Sequence, residues 1–433
     1  MTRKRRISIV AACAAAGIAA AVPLTSSAFG SDDKAPKAAH PAGAPASAAA
    51  NNSASHSGDF GAASDIDGTT FKNGVMSLKA SSTPRTAAAA AASPHGEGWK
   101  LAAPKGLPTG YTVKFYDQKS VDWLGRYVKA SVTDLRRVTN LPFTIDTKPV
   151  GWDYVRPKGE VVIGLLKRPC VPGTDGKPWQ VVHDGSGVKN LSCGFHSRSV
   201  PDTVTSGHAY IDSSFFTADG KPSPSWGETF LRNHISHEVA HTLGMEHADR
   251  SATRGDCVKG SDSGQKPVMC TNTQHGYQDK RAGTYVQQFD VQGLRYFAAH
   301  TGAQLPPQGR VSGLGGKCLD VKGGKAANGT QIELFTCNGG VAQSWILGKD
   351  GTFRALGKCL DNARNANTNG NRISLFDCHG GASQRWSVNA KGQIVHVASG
   401  KVLDVAGGST ANGTKIQLYT ANTNKRQVWV TPK

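Results

Sequence analysis

The chain has 433 residues, enough for more than one domain, and 19% of them are charged. Fifty Lys and Arg against 31 Asp and Glu leave a formal charge of +19, but the basic residues are scattered, with no arginine-rich run or aromatic platform. A nucleic-acid partner is therefore not expected, and solubility or attraction to anionic polymers is the ordinary reading. Beyond the first 28 residues no segment approaches about 18 consecutive apolar residues, so no membrane anchor is expected in the mature form.

Residues 1–28 read as a secretory signal, with Arg3, Lys4, Arg5 and Arg6 before an apolar stretch and Ser26-Ser27-Ala28 as a cleavage site. A secreted, extracellular protein is expected. Residues 29–96 are rich in Ala, Ser, Gly and Asn and hold few large apolar side chains, too few to offset the entropy of ordering. They read as a linker, a propeptide or both. No cysteine lies between Cys13 and Cys170, so no thiolate here can block a metal site, and Asp59 reads as a solvated loop residue.

Residues 97–302 suit one α+β domain. Tyr111 to Tyr116 alternates as a strand, and 120–138 carries Val121, Leu124, Val128, Val132 and Leu135 at helical spacing. Pro142 to Thr147, Glu160 to Leu166 and His208 to Phe216 read as strands. A helix is expected from about Ser225 through Leu243, and another over Thr284 to His300.

The first of these helices holds His237-Glu-Val-Ala-His-Thr-Leu-Gly-Met-Glu-His247. His237 and His241, four apart, project from one helix face and can grip one metal ion. Gly244 can take positive φ and turn the chain back, so that His247 reaches the same ion. Three imidazoles with one open position suit a catalytic Zn2+, and Glu238 is placed to take a proton from zinc-bound water.

At these residues the chain resembles the metzincin zinc metallopeptidases, whose motif is H-E-x-x-H-x-x-G-x-x-H followed by a Met-turn. Met269, in Lys266-Pro-Val-Met-Cys-Thr-Asn272, matches the turn methionine. Several subfamilies carry a tyrosine two residues later; here Thr271 stands there, Tyr277 and His275 lie nearby, and spacing assigns neither, so the subfamily stays open. The resemblance implies a zincin-like fold, with Gly207 to Ser213 as an edge strand that pairs with extended peptide substrate.

Residues 303–308, including Pro306-Pro307, read as a stiff linker that supplies few contacts, so neither flanking domain is expected to need the other to fold. Residues 309–433 then repeat one unit three times, over about 309–347, 348–388 and 389–433. The repeats align Asp320, Asp361 and Asp404, and the tryptophans of Gln343-Ser-Trp345, Gln384-Arg-Trp386 and Gln427-Val-Trp429, at intervals of 41 and 43 residues. With Asn-Gly turns in each repeat, this period points to a pseudo-threefold all-β architecture. Cys-Leu-Asp with Gln-x-Trp resembles the ricin-type β-trefoil lectins. That resemblance implies carbohydrate binding through Asp320 with Phe335, Asp361 with Phe376, and Asp404 with Tyr419. Ala342, Ser383 and Arg426 stand where intact sites carry Asn; Gln417 makes the third repeat the leading candidate.

Eight cysteines remain after Cys13, an even number that in an exported protein implies disulfides. Repeat symmetry pairs Cys318 with Cys337 and Cys359 with Cys378; the third repeat replaces both positions together, with Val402 and Ala421. For Cys170, Cys193, Cys257 and Cys270, pairing as 170–193 and 257–270 is the simplest of three choices.

The expected protein is thus multidomain: an α+β zincin-like catalytic domain followed by an all-β β-trefoil, acting as a monomer. The expected function is a secreted zinc-dependent endopeptidase that acts on protein or peptide and is targeted to glycans or polysaccharide. The alternatives are a carbohydrate-binding lectin whose zinc domain is inactive, and a zinc hydrolase of another amide.

Overall fold

The computed structural model of the protein describes residues 64–65, 70–78, 98–173, 179–251, 253–260 and 264–433. The expected signal, Asp59 and most of the 29–96 segment lie outside the described residues. No helix among the described residues is long and apolar enough to cross a membrane.

The N-terminal region is mixed, with few helices. Its strands in chain order are β1 (Ser64–Asp65), β2 (Val75–Ser77), β3 (Lys100–Leu101), β4 (Tyr111–Phe115), β5 (Phe143–Ile145), β6 (Glu160–Leu166), β7 (Cys170–Val171), β8 (Gln180–Val182), β9 (Cys193–Ser197), β10 (Ser206–Asp212) and β11 (Met245–Glu246). Its helices are α1 (Gln118–Thr139), α2 (Gly227–His241) and α3 (Asp290–His300). The main sheet runs β1-β9-β10-β6-β4-β5. Neighbours from β5 to β10 are parallel, β9 returns antiparallel to β10, and β1 lies parallel to β9.

Helix α1 starts where the Asp117 carboxylate accepts from Ser120 N (2.7 Å) and stops at Asn140, whose left-handed backbone (φ 54°) ends the run. Its buried stripe of Leu124, Val128, Val132, Leu135 and Val138 packs in one core with Leu231, Ile235 and Val239 of α2, Leu294 and Phe297 of α3, and Val113, Phe115 and Ile163 of the sheet. The interior sheet residues Tyr116, Val162, Phe195 and Tyr210 form a second core.

That second core corrects the reading of residues 29–96. Met76 and Leu78 are each 1% exposed and pack into it, while β2 pairs with β8. Two fully buried side chains of this size contribute about 3–6 kcal/mol of burial before ordering entropy is subtracted. This short apolar island docks residues 70–78. Three more expectations shift. The strand at Gly207 to Ser213 is interior, flanked by β6 and β9, because the five residues of β9 fold back along it. The last helix begins only at Asp290, after a turn over 287–289, and α2 begins at Gly227, without a side-chain cap.

The C-terminal region is an all-β trefoil. Strands Thr330–Phe335, Asn371–Phe376 and Thr414–Tyr419 pair with one another pairwise, which closes the pseudo-threefold. Trp345, Trp386 and Trp429 are buried at the shared core, and each indole N–H donates to the leucine carbonyl of its own repeat, Leu319, Leu360 or Leu403 (2.9–3.2 Å). Disulfides join Cys318 to Cys337 and Cys359 to Cys378 here, and Cys170 to Cys193 and Cys257 to Cys270 in the N-terminal region.

The 303–308 segment is tied down rather than a free spacer. Pro306 is buried and its carbonyl accepts from Arg295 Nη2 (2.7 Å), and the Pro307 carbonyl accepts from Leu347 N (2.9 Å). A polar seam follows: Arg281 Nη1 donates to the Leu356 carbonyl (3.0 Å), and Gly357 N donates to Gln287 Oε1 (2.7 Å). Expecting few contacts here overlooked these long-range bonds, which local sequence does not announce.

Candidate metal centre

Helix α2 crosses the sheet closely. A Cβ at Gly194 of β9 would lie 2.5 Å from the Glu238 carbonyl oxygen, so only glycine allows this approach. Gly244 takes φ +78°, and the chain turns back through β11, which pairs with β3. His237 and His241 from α2 and His247 beyond the turn are thereby brought together.

Their Nε2 atoms converge: His241 Nε2 lies 3.1 Å from His237 Nε2 and 3.2 Å from His247 Nε2. His237 Nδ1 donates to the Val268 carbonyl (2.7 Å) and His241 Nδ1 to the Met245 carbonyl (2.7 Å). A carbonyl only accepts, so each Nδ1 carries the hydrogen and each Nε2 presents a lone pair. Lone pairs at about 3 Å repel one another; a cation between them resolves the conflict, and the residues fit one. Burial, first among the causes, pushes His237 down to about 4 and holds His241 and His247 well below the ordinary histidine range. All three are thus neutral, the form that ligates a metal.

Glu238 is 3% exposed; its Oε2 meets no hydrogen-bond partner among the described residues, and burial pushes it up to about 8. It lines a cavity with the three imidazoles, Phe215, Trp226 and Phe230. Met269 is fully buried on the turn beneath. Its carbonyl accepts from Ala248 N (2.8 Å), beside His247, and the preceding Val268 carbonyl orients His237. Asp290, at the start of α3, accepts from Val268 N (2.8 Å), Met269 N (3.1 Å) and Val286 N (3.0 Å). Asp249, Cys257 and Cys270 also cluster, but both cysteines are spent in their disulfide.

Sequence reasoning missed His234, Ser192 and Asp290. His234 Nε2 bonds Ser192 Oγ (2.8 Å) and lies 3.8 Å from Glu238 Oε1. Its place four residues before Glu238 on the same helix was a readable signal. Ser192 and Asp290 had none. Thr271 donates its hydroxyl to Asp249 Oδ2 (2.7 Å), and Tyr277 is buried in the core next to the trefoil seam.

In the trefoil, the three aspartates differ in what already occupies them. Asp320 Oδ2 accepts from Gln343 Nε2 (2.8 Å), with Glu333 opposite it and Phe335 half-buried. Asp404 is saturated: Oδ1 accepts from Gln417 Nε2 (2.9 Å), and Oδ2 accepts from Gln427 Nε2 (2.8 Å) and pairs with Arg426 (3.0 Å). The Arg426 guanidinium also stands over the Tyr419 ring at 5.6 Å. Gln417 is therefore an internal partner of Asp404, and this repeat is the least available of the three. In the second repeat Asp361 Oδ2 meets Ser383 Oγ (2.8 Å) and His379 Nε2 (3.4 Å), Oδ1 takes no bond from the described residues, and Phe376 is 38% exposed.

Residues 307–429 match the ricin-type beta-trefoil lectin domain family. No curated protein matches the chain. Among solved structures, the agglutinin of Abrus precatorius is 30% identical over 29% of this chain and 48% of its own, with a TM-score of 0.28. A non-toxic homologue of type II RIPs from Momordica charantia, solved with alpha-methyl-D-galactoside, is 27% identical over 30% and 49%, with a TM-score of 0.27. The chain spans about half the length of each. The earthworm R-type lectin C-half, solved with GalNAc, is 21% identical over 29% of this chain and 98% of that one, at a TM-score of 0.26. The matched repeats, their closed threefold sheet and their buried Gln-x-Trp tryptophans make the C-terminal region a ricin-type β-trefoil lectin domain.

Proposed function

We propose that this protein is a secreted zinc-dependent endopeptidase of metzincin type, held on glycan-bearing material by its lectin domain. The observation that carries this reading is the convergence of three imidazole Nε2 atoms, those of His237 and His241 fixed as lone pairs, beside a buried Glu238 oxygen that meets no partner among the described residues. His237, His241 and His247 would hold the ion, which when bound supplies a Lewis acid for the scissile carbonyl and acidifies water. With the positive charge of the ion beside it, Glu238 would be held as the carboxylate, take the proton of the attacking water and return it to the departing amine. A purely structural site has no use for that acid, which argues against an inactive zinc domain. The Val268 and Met245 carbonyls fix the imidazole tautomers. The aromatic rings of Phe215, Trp226 and Phe230 give the cavity an apolar wall that favours a large apolar side chain next to the cleaved bond. On the lectin side, the second repeat, with Asp361 and an exposed Phe376, is the sugar site best supported by its openness.

Library cleavage with wild type and Glu238→Ala tests the reading. Glu238→Ala should keep its zinc and lose hydrolysis, and His237→Ala, His241→Ala or His247→Ala should lose the metal. Wild-type cleavage rates in Glu238→Ala would refute the mechanism.

A further inference from the structure

Of Thr271, Tyr277 and His275, which follow the Met269 turn in sequence, two are already engaged. Thr271 gives its hydroxyl to Asp249. The Tyr277 hydroxyl accepts from Gln287 N (3.1 Å), and its ring carries the Arg281 guanidinium at 3.9 Å, so it belongs to the trefoil seam.

His275 is different. It is 4% exposed and lines the same cavity as Glu238 and the three converging imidazoles. Its ring is stacked near-parallel to His237 (centroids 5.3 Å apart, 17° between planes) and to Phe230 (5.9 Å, 8°). Nδ1 lies 3.1 Å from the Cys270 carbonyl. That oxygen only accepts, so the neutral ring carries its hydrogen on Nδ1 and presents a lone pair at Nε2. Nε2 is buried and meets no donor among the described residues. The backbone here is held to α2, since Asn233 Nδ2 donates to the His275 carbonyl (2.8 Å) and the Tyr277 carbonyl (2.9 Å). The acceptor therefore sits in a fixed relation to the helix that carries Glu238.

A buried acceptor without a donor is costly and calls for a partner that completes it. Extended peptide supplies neutral backbone N–H donors of the required kind. Resting on the peptidase reading above, we infer that His275 is a substrate-binding residue whose Nε2 accepts a hydrogen bond from a backbone N–H of the peptide beside the scissile bond. A donor role toward developing negative charge would need a hydrogen on Nε2, which the Cys270 carbonyl disfavours in the neutral ring.

The test reads binding as well as turnover. A peptide selected by library cleavage with the wild-type protein is titrated calorimetrically into zinc-loaded Glu238→Ala and Glu238→Ala/His275→Phe, together with analogues N-methylated at single backbone amides. Phenylalanine keeps a ring in the stack and removes the acceptor. One methylation should weaken binding to Glu238→Ala about tenfold, the loss of one well-placed hydrogen bond. The double variant should bind the parent peptide about tenfold more weakly and treat that methylated analogue as equal to it. His275→Phe alone should lower kcat/KM by the same factor with zinc content unchanged. A methylation penalty that persists in full in the double variant overturns the inference. Should His275→Phe not fold, Glu238→Ala/His275→Gln takes its place: its amide oxygen can accept, so the penalty should survive in part, and a parent peptide bound as tightly as by Glu238→Ala, with no site-specific methylation penalty in either protein, overturns the inference. A wild-type protein that holds zinc and cleaves no library peptide refutes the peptidase reading instead, and the inference falls with it.

Discussion

Asp290→Ala removes the acceptor for three buried backbone N–H groups, those of Val268, Met269 and Val286. Asp290 is fully buried, so water does not readily replace its carboxylate. Each orphaned N–H costs about 1–3 kcal/mol, and because the three share one acceptor the losses are not independent, which puts the total at about 4 kcal/mol. For a domain of this size that corresponds to a midpoint lower by roughly 8–16 °C. The consequence for the site is specific. The Val268 carbonyl orients His237, so a loosened turn should weaken zinc binding by about tenfold, as changes to the partners of metal ligands do. Asp290→Asn keeps one accepting oxygen and should fall between wild type and alanine in both measurements. Differential scanning calorimetry and competition with a zinc-responsive dye check the two effects. Wild-type melting and zinc affinity in Asp290→Ala would refute the claim that this carboxylate holds the turn beneath the histidines.

Ending the chain at residue 305 removes the trefoil-side partners of Arg281 and Gln287 while Arg281 keeps Asp279, so melting of the N-terminal domain should fall by several degrees and kcat/KM on a short peptide should drop without vanishing; an unchanged midpoint would show that the seam carries no stability. In the trefoil, Asp361→Ala with Phe376→Ala should remove most retention on insoluble galactose-rich polysaccharide. Asp404→Ala should mainly lower the trefoil midpoint, by about 2 kcal/mol of stability, because it strands Arg426 and Gln417 and leaves Gln427 Nε2 only the Thr420 carbonyl. A chain beginning at residue 67 lacks β1 and frees the edge of β9, so peptide cleavage should rise, whereas a chain beginning at residue 98 also loses Met76 and Leu78 and should be less stable; equal activity of the residue-67 chain and full-length protein would show that β1 does not obstruct substrate.

What the sequence determined by itself is what repeats or follows a fixed spacing. Histidines four apart on a helix share a face whatever surrounds them, and Gly244 marks the turn that brings in His247. The 41- and 43-residue intervals carry the trefoil, and the joint replacement of two cysteines by Val402 and Ala421 marks the positions that pair in the other repeats. Periodicity likewise placed β4, α1 and β6. Only the tertiary structure decided which strand lies at the sheet edge, because pairing joins residues far apart in sequence and Cys193-Gly-Phe-His-Ser197 of β9 carries neither an apolar run nor a clear alternation. It also decided that Met76 and Leu78 fill a core, that Asp290 braces the turn under the histidines, and that His275 faces the cavity while Tyr277 does not. The same holds for the sugar sites: motif residues recur in all three repeats, yet Gln417, Gln427 and Arg426 saturate Asp404, while Oδ1 of Asp361 takes no bond from the described residues. Hydrogen-bond saturation is set by which side chains meet in space, and no spacing along the chain encodes it.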